Sequence, residues 1–329
     1  MNVDIHSHFF PIEALRGARK YQDKAPEIVL ENRKCSVISG GGQRGNLSEG
    51  AYNALARIED LNEMNVDMQA LSPSPILLFY GEEAASAAYF SRLQNEAIQA
   101  VVEDHPDRFV GLGSVPLQTI SESIAVAEEA KKLGLKGLEI GTSVGDQQLD
   151  DSIFEPFYEA VQSLDLLLFV HPTEDGIETD DPLTGILGNV LQFPYRTTFM
   201  IERMILKGFF ERYRNIRLCL AHGGGLLAYN IWRLDHAYGQ REEFRKNISR
   251  KPSEYLKKIY FDSIVHSGVA LQYLIQVVGS DRVVIGTDYP MAMGDFEPVQ
   301  KIRALNMLSE NERNKILGSN AVRALNFIE

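Results

Sequence analysis

Short apolar runs recur along the chain, separated by longer stretches in which apolar residues return at helical spacing. The runs are Val3–Ile5, Met68–Leu71, Phe109–Ser114, Gly137–Ile140, Leu166–Val170, Ile216–Leu220, Ile259–Asp262 and Val283–Gly286. Several are apolar almost without interruption, as parallel strands covered on both faces should be. Between them the pattern predicts helices over about 51–64, 85–104, 119–134, 153–162, 198–209 and 269–278. In the second of these, Phe90, Leu93, Ala97 and Val101 form one apolar stripe. Thr119 with Glu122, and Ser309 with Glu312, have the spacing of a capping box, and Gly134 can close the helix that Thr119 opens. Eight strands that mostly alternate with helices predict a closed (β/α)8 TIM-type barrel rather than an open sheet.

Two stretches break this rhythm, at about 12–50 and 172–194. Long connections without periodicity serve as lids or binding loops on compact domains. The first contains Ser39-Gly40-Gly41-Gly42, but no Lys-Ser/Thr pair follows, so a phosphate cradle is not expected there. All 329 residues fit one barrel domain, 1–329, with a small insertion after strand 1.

Composition narrows the partners. Hydrophobic residues make up 44% and charged residues 24%, as in an ordinary globular chain. The formal charge of −12 argues against nucleic-acid binding, and an anionic substrate would need a local basic cluster. Met1 leads almost directly into the first strand without a leader pattern, and runs such as Leu166–Val170 are too short to cross a bilayer. Cys35 and Cys219 have no metal spacing. The expectation is a cytoplasmic protein with neither nucleic acid nor membrane as partner.

In a (β/α)8 barrel, chemistry gathers at the carboxyl ends of the strands. The first strand ends in His6-Ser7-His8, whose imidazoles share one side because side chains on a strand repeat every second residue. The fifth ends in His171, the sixth in His222, and the eighth runs into Asp288. Any one of these histidines could be a hydrogen-bonded core residue; their joint placement points to a site. Three histidines with one carboxylate suit a divalent ion, zinc first, with manganese, iron or cobalt as alternatives. His266, just past the seventh strand, is a further candidate for the pocket. His105 belongs to a surface turn and His236 to a helix, as a structural residue. Lys136 precedes the fourth strand and lies at the wrong end to bridge two metals, so one metal is expected.

These residues carry a resemblance. The opening His6-Ser7-His8-Phe9-Phe10-Pro11, then Val115-Pro116-Leu117-Gln118, His171-Pro172, His222-Gly223-Gly224-Gly225, Pro252-Ser253-Glu254-Tyr255 and Asp288-Tyr289-Pro290 resemble, in order, the amidohydrolase-related metal-dependent decarboxylases. The resemblance implies His6, His8, His171 and Asp288 as metal ligands, with Asp288 also counted as catalytic. It implies His222 as the acid/base acting on the metal's water. It implies substrate contacts from Arg44, Arg233 and Arg241; His266 stays a candidate by its strand-end position. It also implies a homodimer, because one helix arginine in that family enters the neighbouring subunit's site. The expected reaction is non-oxidative loss of carbon dioxide from an unsaturated or aromatic acid. The sequence departs from the pattern after His171, where Thr173-Glu174-Asp175-Gly176 and Glu178-Thr179-Asp180-Asp181 replace a tryptophan-bearing loop, and the chain's only tryptophan is Trp232. His266 is a second departure, standing where the pattern has an aromatic ring.

Other chemistries compete. Gly141-Thr142-Ser143-Val144-Gly145 matches the serine-hydrolase signature literally, but a nucleophile elbow must turn straight from strand into helix, and Asp146-Gln147-Gln148 prolongs a loop instead. A metal-dependent hydrolase or hydratase on the same barrel is the stronger alternative, since fold does not decide reaction. A binding barrel with a structural metal is disfavoured by an extra histidine beside an open-sided site.

Overall fold

Eight parallel strands follow one another around a barrel in the computed structural model, which describes residues 1–39, 42–173 and 182–327. They are β1 (Val3–Asp4), β2 (Met68–Pro73), β3 (Phe109–Gly113), β4 (Gly137–Ile140), β5 (Leu167–Val170), β6 (Arg217–Leu220), β7 (Ile259–Asp262) and β8 (Val283–Val284). The circle closes from β8 to β1 through a parallel bridge between Asp4 and Ile285, with Ile5 N donating to Ile285 O at 3.0 Å. In the middle of the sheet Leu167–Val170 pairs along its full length with Gly137–Ile140 and with Leu218, Cys219 and Leu220 of β6. That register ends neighbouring strands at one level, so the residues that follow them meet at one rim.

Side chains of each strand alternate between two apolar environments. Leu167 and Phe169 belong to the barrel interior with Val3, Ile5, Leu112, Cys219 and Tyr260, whereas Leu168 and Val170 pack outward against the helices. Burial on both faces is why the strands appear as continuous apolar runs. The helices after β1 to β7 are α1 (Ala54–Glu63), α2 (Ala84–Asp104), α3 (Ile120–Leu133), α4 (Glu155–Leu164), α5 (Phe193–Leu206), α6 (Leu227–Gln240) and α7 (Gly268–Val278). Short helical segments from Pro298 to Leu325 finish the ring. Among the described residues no helix is long and apolar enough to cross a membrane.

Four expectations are corrected. The first excursion is not structureless: Glu27–Glu31, Lys34–Ser39 and Gly42–Leu47 form an antiparallel sheet whose Cys35 and Val37 face a small core. Ser39 pairs with Gly42, while Gly40 and Gly41 of the glycine run are outside the described residues. In α2, Phe90 is buried, but the buried face continues through Ser91, Gln94, Asn95 and Ile98, because Gln94 and Asn95 bond the main chain of Leu77 and Ser114. Thr119 starts α3 without a side-chain cap: Arg92 takes Glu122, while Ser123 Oγ donates to Thr119 O. Helix α5 begins at Phe193, within the second excursion, and ends before Gly208, whose φ of 74° breaks it from Phe209–Arg212. The capping box of Ser309 and Glu312 forms, and Gly134 ends α3 at φ 103°.

One helix residue braces the start of the chain. Arg57 of α1 is completely buried and donates to Gly50 O (2.8 Å), Ser7 Oγ (3.1 Å), Gln69 Oε1 (2.8 Å) and His8 O. Its guanidinium also lies 4.6 Å from the ring centre of Tyr289. It therefore fixes the backbone on which the His6-Ser7-His8 pair rides. Arg57→Met leaves several buried acceptors without donors and should cost about 3–5 kcal/mol of stability. Urea denaturation checks this, and a loss under about 1 kcal/mol would show that the acceptors find other donors.

Candidate metal and catalytic site

The carboxyl ends of β1, β5, β6 and β8 converge on one point. His6 Nε2 and His8 Nε2 stand 3.3 Å apart, and Asp288 Oδ1 is 3.3 Å from the first and 3.1 Å from the second. Ser7, between them, turns the other way and donates to Ala70 O at 2.7 Å. His171 completes the set: one ligand atom from each of His6, His8, His171 and Asp288 lies within 4.8 Å of all the others, and all four residues are buried.

Outer partners orient these rings. His6 Nδ1 donates to Asp262 Oδ2 at 2.6 Å, and His171 Nδ1 to Pro172 O at 2.7 Å. His8 Nδ1 faces Pro73 O at 3.3 Å and Glu139 Oε2 at 3.5 Å, while Ser72 Oγ also donates to Glu139. With Nδ1 carrying the hydrogen in each ring, the Nε2 lone pairs point at one another and at a carboxylate oxygen. Lone pairs held that close repel unless a cation lies among them. His171 Nε2 and Asp288 Oδ1 are buried without a hydrogen-bond partner, so the donor set fits a divalent ion.

The electrostatics agree. Burial works against a charged His6, yet Asp288 and Asp262 outweigh it and push its pKa up to about 10. His8 is also raised: burial opposes the charge, and Glu139 and Asp288 overcome that. Burial holds His171 well below its ordinary range, with His222, His8 and His6 adding to the effect. Asp288, although burial favours its neutral form, is held well below its ordinary value chiefly by His6. The carboxylates around His6 and His8 thus favour a positive charge at this point, as a bound cation would supply.

Behind the ligands, Asp4 accepts from Thr287 Oγ1 and Gln69 Nε2, each at 2.6 Å, and from His6 N at 3.0 Å. Burial outweighs these bonds and raises its pKa from 3.8 to about 6. A folded value above the ordinary one means that its contribution to stability is full in acid. That contribution is lost as pH rises from about 4 to about 6, by about 3 kcal/mol. Denaturation midpoints of Asp4→Asn should vary less across that window than the parent's; an equal slope would contradict the assignment.

His222 takes a different position. Its Nε2 is 3.9 Å from Asp288 Oδ2, its ring centre is 4.8 Å from that of His171, and its Nδ1 is buried without a partner. The backbone is left-handed at His222 (φ 55°), as at Asp288 (φ 55°) and His266 (φ 52°). Such strain costs non-glycine residues roughly 1–2 kcal/mol and persists where the surroundings over-determine it. The following Gly223 (φ 60°) has no alternative, since a Cβ there would lie 2.4 Å from Val265 Cγ1.

Two joined cavities open onto the cluster. The inner one, about 180 Å³, is bordered by His8, His171, His222 and Asp288 with Met291 and Met293. The outer one, about 440 Å³, shares His222 and Asp288 and extends to Tyr229, Tyr273 and His266. The structure thus brings His6, His8, His171, His222 and Asp288 together and puts His266 on the outer wall. It does not bring Arg233 or Arg241 there: both are exposed, on α6 and at its end, and neither is among the described residues lining these cavities. Tyr229, one helical turn before Arg233 on α6, does line the outer cavity. The side chain of Arg44 and residues 174–181 lie outside the described residues. His236 is exposed on α6, and its expected structural role is corrected, since a helix face turned to solvent packs nothing there. His105 caps α2 and sits edge-on to Phe109. Ser143 belongs to a small hairpin with Gln147–Gln148, so no strand-to-helix elbow forms.

Sequence reasoning missed Asp262 and Glu139. Both are fully buried, and both were signalled by an acid inside or ending an apolar strand run.

A closed parallel barrel with His-x-His on the first strand, histidines after the fifth and sixth, and aspartate after the eighth has the build of an amidohydrolase. The chain belongs to the amidohydrolase family, whose sequence pattern matches residues 3–327. It is 31% identical over 330 residues to the 2-amino-3-carboxymuconate-6-semialdehyde decarboxylase of Dictyostelium discoideum, covering 99% of this chain and 91% of that protein. It is 26% identical over 288 residues to a gamma-resorcylate decarboxylase from Polaromonas sp., covering 80% and 85% respectively. Among solved structures, the 5-carboxyvanillate decarboxylase of Novosphingobium aromaticivorans, complexed with manganese and 4-hydroxy-3-methoxy-5-nitrobenzoic acid, matches 99% of this chain and 96% of its own with a TM-score of 0.82 at 23% identity. That likeness confirms the barrel fold.

Proposed function

We propose that this protein is a metal-dependent, non-oxidative decarboxylase of an unsaturated or aromatic carboxylic acid, a carboxy-lyase. The observation that carries the reading is an imidazole, His222, with its Nδ1 unpartnered, beside a His6-His8-His171-Asp288 donor set at the floor of a substrate-sized cavity. The activities named for its relatives support the same reaction.

His6, His8, His171 and Asp288 would hold one divalent ion, which we take to be zinc from the nitrogen-rich donor set, with manganese, iron or cobalt as the alternatives. When bound, the ion polarises substrate oxygens and draws off the negative charge that grows as carbon dioxide leaves. The carbon–carbon bond to the carboxylate breaks, its electron pair stays on the remaining carbon, and His222 delivers the proton that forms the new carbon–hydrogen bond. The apolar walls, including Phe193, Met291 and Met293, exclude water from that carbon.

An acid substrate also calls for a cation, and the described residues lining both cavities include no lysine or arginine. Exposed Leu183, Ile186, Leu187, Val190, Leu191 and Tyr195 form an apolar stripe leading into α5, beside the helix that carries Arg233. We take the protein to be a homodimer in which Arg233 or Arg241 of one chain serves the partner's cavity, with Arg44 as a further substrate contact. The location in this reading is the cytoplasm.

Metal-replete protein should consume members of a panel of ortho-substituted aromatic acids and muconate semialdehyde acids, with ultraviolet loss matched by carbon dioxide. Silence across the panel together with hydrolysis of lactones or amides would replace the decarboxylase with a hydrolase on the same barrel.

A further inference from the structure

The three ligand histidines are anchored by different groups, and only one anchor touches His222. His171 leans on a backbone carbonyl, and His8 on a carbonyl and Glu139. His6 leans on Asp262, the last residue of β7, which is completely buried and accepts three further hydrogen bonds. Its Oδ2 takes His222 N at 2.8 Å; its Oδ1 takes Gly223 N at 2.7 Å and Ile264 N at 3.0 Å. His222 and Gly223 are consecutive left-handed residues, and successive N–H groups in such a turn form a concave nest for an anion. Here the anion is a side chain of the protein.

The packing is built to let the carboxylate reach both sides. Gly286, beyond β8, allows it: a Cβ at this position would lie 2.8 Å from Asp262 Cβ and 3.1 Å from His6 Cβ. Asp262 therefore sits between β1, which carries the ligand, and the loop after β6, which carries the acid/base.

We infer that Asp262 is a positioning residue that couples the two halves of the site, setting the ring of metal ligand His6 and the backbone that aims His222 with one carboxylate. The inference rests on His222 being the proton carrier, and it predicts two separable losses. In Asp262→Asn, the amide no longer accepts from both sides. Metal affinity of the full-length protein, measured with zinc against a chelator, should fall about 10–100-fold. At saturating zinc, kcat should remain about 100-fold low with KM little changed, because misplacing a reacting group costs rate rather than binding. Full recovery of kcat at saturating zinc, or unchanged zinc affinity, would overturn the coupling. Should Asp262→Asn fail to fold, the parent decides: nitrogen-15 histidine NMR of the zinc-loaded protein should show one strongly deshielded, exchange-protected Nδ1 proton, and its absence overturns the inference. Zinc affinity and NMR need no substrate, so they stand even if no acid is turned over.

Discussion

His222→Ala keeps its metal and loses turnover by about 10²–10⁴-fold. The imidazole is not among the four donors that cluster within 4.8 Å, and its nearest ligand contact is Asp288 Oδ2 at 3.9 Å. Its backbone is held by Asp262 rather than by its own side chain, so truncation leaves the loop in place. What disappears is the proton donor at the cavity wall. Metal content by elemental analysis, measured beside kcat, separates the roles: equal metal with lost turnover is expected, whereas lost metal would make His222 a ligand.

Asp288→Ala should lose both metal and turnover. Asp288 meets His6 and His8 at 3.3 and 3.1 Å and supplies the only carboxylate in the donor cluster. Without it the ion would face three neutral imidazoles. Loss of an outer-shell partner typically costs metal sites about 10–100-fold in affinity, and loss of the charged ligand itself should exceed that. Chelator competition checks it, and an affinity within tenfold of the parent would exclude Asp288 from the ligand set.

The site was legible because barrel geometry turns sequence into position. A parallel strand buried on both faces is an unbroken apolar run, and the polar residue after it lands on one rim; hence His6, His8, His171, His222 and Asp288 could be brought together from their places after such runs. What sequence could not supply was partnership. Asp262 and Glu139 sit within or at the end of strands, and nothing local says that one accepts from His6 and the other faces His8. Glu122 had the spacing of a cap but was taken by Arg92 from another helix, a tertiary contact that outbids local pattern. The sheet of the first excursion hid because strands with one exposed face are only partly apolar, as in Glu27–Glu31. Arg233 and Arg241 had helix positions but no direction, and in the single chain they are exposed and not among the described residues that line the cavities.

The most direct test of the decarboxylase reading is turnover in deuterium oxide with a zinc-loaded enzyme and an acid from the active panel. The account predicts that each carbon dioxide released leaves one deuterium on the carbon that had carried the carboxylate, with neither product formed when the metal is removed. Acid consumed without carbon dioxide, or carbon dioxide released at an equal rate by the metal-free protein, would contradict it.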